Sequence, residues 1–121
     1  SIAPKTERYI AQSVLGYPFF RHGITADAVV GGERTQVFVV IEDSAAAARK
    51  AFDAYHASLK ESGKIIASTD SGGRPSIAAS DPLYRGVYIE QSGRYLIGAI
   101  RLKDPSTAKP LVEAIQARLG K

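Results

Sequence analysis

The sequence predicts a single α+β domain over residues 1–121: a mostly antiparallel sheet of five or six strands, two long helices on one face, and a short N-terminal helix. Three observations carry this expectation. A hairpin followed by an alanine-rich amphipathic helix occurs twice, over about residues 24–61 and 84–119. Arg34, Ala48, Ala54, Ala57 and Leu59 of the first β-β-α unit meet Arg94, Ala108, Ala114, Ala117 and Leu119 of the second at a constant offset. Val37-Phe38-Val39-Val40-Ile41 is an unbroken apolar run, the pattern of a central strand buried on both faces. Finally, neither unit can bury its apolar surface alone, so the two are expected to share one sheet. The matched residues are few and three of the pairs are Ala, so both duplication and two generic β-β-α units remain open.

The first element is read as a helix over Lys5–Val14, because Tyr9, Ile10 and Val14 recur at helical spacing and Gly16 and Pro18 end it. Tyr17-Pro18-Phe19-Phe20 is an aromatic connector expected to plug the core. Strands at Ile24–Val30 and Thr35–Glu42 flank a turn at Gly31-Gly32-Glu33. The first long helix runs from about Ser44 to Glu61, with Asp43 or Ser44 as its cap and Gly63 as its stop. Its buried stripe is Ala48, Ala51, Phe52, Tyr55 and Leu59.

Lys64–Ser68 reads as a short strand, Thr69–Pro75 as a polar loop and Pro75–Ala79 as an edge strand. After the Asp81-Pro82 turn come strands Arg85–Glu90 and Arg94–Leu102, joined at Ser92-Gly93. The last helix buries Ala108, Leu111, Val112, Ile115 and Leu119; it starts near Ser106 or Thr107, since an earlier start would put Pro110 past the first turn. With both helices on one face, the other face of the central strands needs a cover: the N-terminal segment, a partner subunit or a further domain.

A chain of 121 residues is long enough to bury a real core without staples. The absence of Cys excludes disulfides, thiolate metal sites and cysteine nucleophiles. The 16 Lys and Arg against 12 Asp and Glu are scattered over every element, so the net charge of +4 reads as a solvated basic surface and not as a nucleic-acid interface. No run of about eighteen apolar residues suggests a membrane span. A natural chain starts with Met, so Ser1 reads as the product of processing or trimming.

Few residues point to chemistry. Asp70-Ser71-Gly72-Gly73 resembles the nucleophile loop of chymotrypsin-type serine proteases, yet the two barrels and the other motifs of that family are missing, and small polar residues suit any turn. His22 and His56 lack metal-ligand spacing, and no cofactor is expected. Glu42-Asp43 sits where a helix N-terminus favours negative charge. No phosphate-binding glycine loop occurs. The chain is therefore not expected to be an enzyme.

Two readings of function remain. In the first, the domain binds a partner protein or associates with a second half of its own protein. In the second, it binds a small ligand, with catalysis less favoured. The candidate site of the second reading combines the Thr69–Pro75 loop, Tyr84 and the Phe20–Gly23 connector. Arg21, His22, Arg74 and Arg85 lie in connectors or at strand starts, and converging guanidinium groups would select an anion.

The segments Arg8-Tyr9, Leu15-Gly16-Tyr17-Pro18-Phe19-Phe20-Arg21-His22-Gly23, Asp43-Ser44-Ala45-Ala46-Ala47-Ala48, Leu59-Lys60-Glu61-Ser62-Gly63, Asp81-Pro82-Leu83-Tyr84-Arg85-Gly86, Gly93-Arg94-Tyr95-Leu96-Ile97-Gly98-Ala99 and Asp104-Pro105 cover most of the chain. In these it resembles a family of bacterial exported proteins known as a domain of unknown function. The resemblance implies export to the periplasm or cell envelope and a position as the C-terminal half, after a related N-terminal half. It brings no activity, cofactor or catalytic residue.

Overall fold

Period-two alternation along the central strands divides the molecule into two cores. The computed structural model describes residues 6–10, 14–30, 32–69 and 75–119. In chain order the strands are β1 (Arg8–Ile10), β2 (Gly23–Val30), β3 (Glu33–Ile41), β4 (Lys64–Thr69), β5 (Ser76–Asp81), β6 (Arg85–Ser92) and β7 (Tyr95–Leu102). Helix α1 (Ala45–Ser62) follows β3, and α2 (Lys109–Leu119) ends the described chain. All neighbours pair antiparallel in one seven-stranded sheet, ordered β1-β2-β3-β7-β6-β5-β4. The expectation of five or six strands is thus too low. The extra strand is β1, which replaces the helix expected over Lys5–Val14: Tyr9 pairs with Ile24, and a 3-10 turn at Val14–Gly16 follows.

β3 is central, as its apolar run requires, and its residues alternate between the cores. Phe38 and Val40 join Leu96, Ile100 and the α1 residues Ala48, Ala51, Phe52, Tyr55 and Leu59. Val37 joins Ile97, Ala99, Tyr88 and the α2 residue Val112. Helix α1 lies across β4 to β7 with the stripe read from its sequence, capped by Ser44, whose Oγ accepts from the Ala47 amide at 3.1 Å. The aromatic connector packs on the same side, with Val14 and Phe20 fully buried.

Helix α2 covers the opposite face over β6 and β7, so the two long helices do not share a face. One residue accounts for the difference. Gly86 pairs with Leu102 but Tyr88 pairs with Ala99, so β7 carries an extra residue opposite Val87, and Arg101 takes the left-handed conformation (φ 63°). This bulge inverts the alternation. Ile100 points into the α1 core, and Leu102, two residues on, points into the α2 core. The chain leaves the sheet on that side through a 3-10 turn at Pro105–Ala108, capped by Asp104, before α2 begins at Lys109. Pro110 then falls in the first turn of α2, where its missing N–H is harmless.

The second face is therefore covered from within over β6 and β7, which corrects the expectation that a separate segment, subunit or domain must cover it. The two hairpins nevertheless obey a pseudo-two-fold relation. Phe38 and Gly98 face each other in the β3–β7 ladder, and the same offset that aligns the two units aligns these two residues. A two-fold axis normal to the sheet at this pair exchanges β2-β3 with β6-β7. It would keep both helices on one face, so it relates the hairpins and not the helices.

Candidate functional site

The strand register separates the residues proposed for an anion site. Arg21 and His22 precede β2, at the end of the sheet where Gly23, Val40, Leu96 and Gln91 lie in one row. Arg85 begins β6, with Tyr84 just before it, six residues ahead of Gln91, or about 20 Å along the strand at ~3.3 Å per residue. Arg85 (φ 60°) is exposed at the tight Asp81–Arg85 turn. The Tyr84 hydroxyl donates to the Leu15 carbonyl, and its own carbonyl accepts from the Arg101 amide at 2.8 Å. Arg21 and His22 are chain neighbours on opposite faces: Arg21 approaches Glu42, while the His22 ring lies 6.3 Å from that of Tyr9. The anion site is thus not assembled from Arg21, His22, Tyr84 and Arg85. Arg74 and the Asp70–Gly73 motif lie outside the described residues.

Three buried carboxylates organise the polar interior instead. Asp81 is the best satisfied. Its Oδ2 accepts from the hydroxyls of Tyr17 and Tyr55, each at 2.7 Å, and its Oδ1 accepts from the amides of Leu83 (2.7 Å) and Tyr84 (3.2 Å). Burial, reinforced by the carboxylate they donate to, holds both phenols protonated far above the usual tyrosine range. Glu90 accepts from the Tyr88 hydroxyl at 2.9 Å on the α2 side, and burial followed by this bond raises Tyr88 to about 12.

Glu42 differs from both. It is only 3% exposed, at the C-terminal end of β3, held by its own amide bonded to the Arg94 carbonyl at 3.0 Å. Its Oε1 lies 3.9 Å from Arg21 Nη1, too far for a hydrogen bond, and its Oε2 has no hydrogen-bond partner among the described residues. Arg21 Nη1 is 3.8 Å from Asp43 Oδ2, likewise a loose contact.

Glu42 forms part of the wall of a depression of about 320 Å³ between the connector and the start of α1. The helix supplies Ala47, Ala51 and Ala54, whose small side chains leave the space open, and Lys50 beside them; the connector supplies Phe19 and Arg21. The arrangement is an apolar floor, two cations at the rim and one buried carboxylate oxygen lacking a donor. The sequence marked Arg21 and placed Glu42 at a helix start, but the alanine face opposite the connector became visible only with the fold.

A larger depression, about 460 Å³, lies over the β2–β3 hairpin and brings Arg34 and Arg101 together with Asp27 and Gln36. Arg101 reaches it from β7, far along the chain from the hairpin residues, and no motif links them. Both of its guanidinium groups are on exposed residues. Among the described residues there is no cluster of three or more His, Asp or Glu side chains suited to a metal ion, and no helix long and apolar enough to cross a membrane. Compared with protein-family models, with curated proteins and with solved structures, the chain matches none.

Proposed function

We propose that this chain is a non-catalytic binding domain of an exported protein, and that it takes a small ligand in the depression beside Glu42. One observation carries the reading. A carboxylate taken out of water costs free energy until donors replace its lost hydration, and Glu42 Oε2 has none among the described residues. Asp81 and Glu90 are committed to tyrosine hydroxyls, so their burial is explained by packing. The non-catalytic reading is supported by the separation of His22 and Glu42 onto opposite faces, which leaves the depression without a nucleophile–base pair.

A thermal-shift screen with metals, inorganic anions, sugars, nucleotides and amino acids tests the site. A ligand at a hundred times its Kd stabilises the fold by about 2.7 kcal/mol, a shift of several degrees. At least one class is expected to raise the midpoint, and Glu42→Gln is expected to abolish that rise. A rise that survives the substitution would sink the assignment, as would a screen with no rise.

A second reading, association with a related sheet domain, is favoured by a different observation. Tyr9 and Ile24 are direct cross-strand partners and are 67% and 39% exposed, beside half-buried Val39. The resemblance described above implies a related N-terminal half as occupant of that surface. Light scattering on this chain co-expressed with such a half is expected to give a one-to-one complex; two separate species would remove this reading.

A further inference from the structure

We infer that the depression beside Glu42 is shaped for a zwitterion of the α-amino-acid type carrying an apolar side chain. This inference rests on the depression being a ligand site at all. Its three parts differ in chemistry, and each restricts the occupant.

The buried part is Glu42 Oε2. No described residue donates to it, which leaves that donor to the occupant we infer. An ammonium is the best match, because a charge-assisted hydrogen bond to a carboxylate is about twice as strong as a neutral one. The rim is cationic. Arg21 stands 3.9 Å and 3.8 Å from its two acidic neighbours, so its N–H groups are held loosely and can turn to a ligand. Lys50 makes no ion pair among the described residues. Together they suit a carboxylate. The floor is the Phe19 ring with Ala47, Ala51 and Ala54, which suits an aliphatic or aromatic side chain.

Simpler ligands satisfy only part of this. An alkylamine would supply the donor for Glu42 but face Arg21 and Lys50 with its own positive charge. An alkyl carboxylate would meet the two cations but leave Glu42 Oε2 unpaired and beside a second anion, which raises the cost of both. A molecule with both charges on one carbon and an apolar body meets all three parts. The volume, about 320 Å³, lies at the lower end of the range of ligand pockets, as an amino-acid-sized occupant requires.

Titration calorimetry with three probes tests the inference: L-leucine, 4-methylpentanoate, which lacks the ammonium, and 3-methylbutylamine, which lacks the carboxylate. Leucine is expected to bind, and each truncated probe to bind at least about tenfold more weakly. Glu42→Gln is expected to weaken leucine by about tenfold while leaving 4-methylpentanoate unchanged or tighter, since the carboxylate then meets no opposing charge. A circular-dichroism melt establishes that the variant is folded. If either truncated probe binds the unaltered protein within about threefold of leucine, the zwitterion is wrong and the depression survives as a site. If none of the three binds, or if leucine binds Ala54→Leu unchanged although the half-buried Ala54 then fills the space, both the zwitterion and the site fall.

Discussion

Each buried acid of this protein can be judged by its donors. Asp81 has four: two phenols that come from 64 and 26 residues away and two amides of its own turn. In sequence it reads as a turn residue before Pro82, because the distant donors belong to the connector and to α1. Glu42 reads as an acid suited to a helix N-terminus; that its second oxygen lacks a partner among the described residues depends on tertiary geometry, which no local pattern contains. The phenols give a testable pH dependence. Tyr17, Tyr55 and Tyr88 are raised above the unfolded value of 10.0, Tyr88 to about 12. A folded state that holds these protons more tightly is stabilised in full below pH 10, and the contribution is lost as pH rises through and beyond 10. Ultraviolet titration is therefore expected to show these tyrosines ionising together with alkaline unfolding, and Tyr55→Phe to remove part of that steepness. Free titration of every tyrosine near pH 10 in a folded protein would contradict the buried network.

At the level of elements, the α1 stripe was fully legible, since Ala48, Ala51, Phe52, Tyr55 and Leu59 recur at helical spacing and all five are buried. The α2 stripe was legible only in part: Ala108 and Val112 are buried, but Leu111, Ile115 and Leu119 are half-buried, because α2 rests mainly on β6 and β7 whereas α1 spans β4 to β7. Phe52→Ala is accordingly expected to cost about 3–4 kcal/mol and Ile115→Ala about 1–2 kcal/mol, measured by denaturant melts. Equal losses at the two positions would mean that α2 packs more deeply than described. The N-terminal segment misled for a physical reason. Ile10 and Val14 are four residues apart, which suits a helix, yet Tyr9 and Ile10 are claimed by ladder pairing with Ile24 and Gly23. Nothing within that short segment reveals the partner strand.

For the whole molecule, the sheet is shared between two layers of helix that meet different residues of the same strand. Along β7, Leu96 and Ile100 serve α1, while Ile97 and Ala99 serve α2. The demand for a cover on the second face was legible from the apolar run of β3; that α2 supplies it was not, because the decision rests on one bulged residue. Cover is incomplete over β1 and β2, where Tyr9 and Ile24 remain exposed. If that surface receives a related half, Ile24→Asp is expected to abolish the complex seen by light scattering while leaving the melting midpoint of the isolated chain within a few degrees. A complex that persists in the variant would place the contact elsewhere.

The bulge at Arg101 also bears on ancestry. The register around Phe38 and Gly98 treats the two hairpins as copies, and only the exit from β7 departs from that scheme. The offset of sixty residues is the same before the bulge, at Arg34 and Arg94, and after it, at Leu59 and Leu119, so the bulge adds no net residue to the second unit. A residue taken into the strand is balanced by one fewer in the exit that follows. Two copies of a hairpin–helix unit, equal in length, can thus send their helices to opposite sides of a sheet and turn two layers into three.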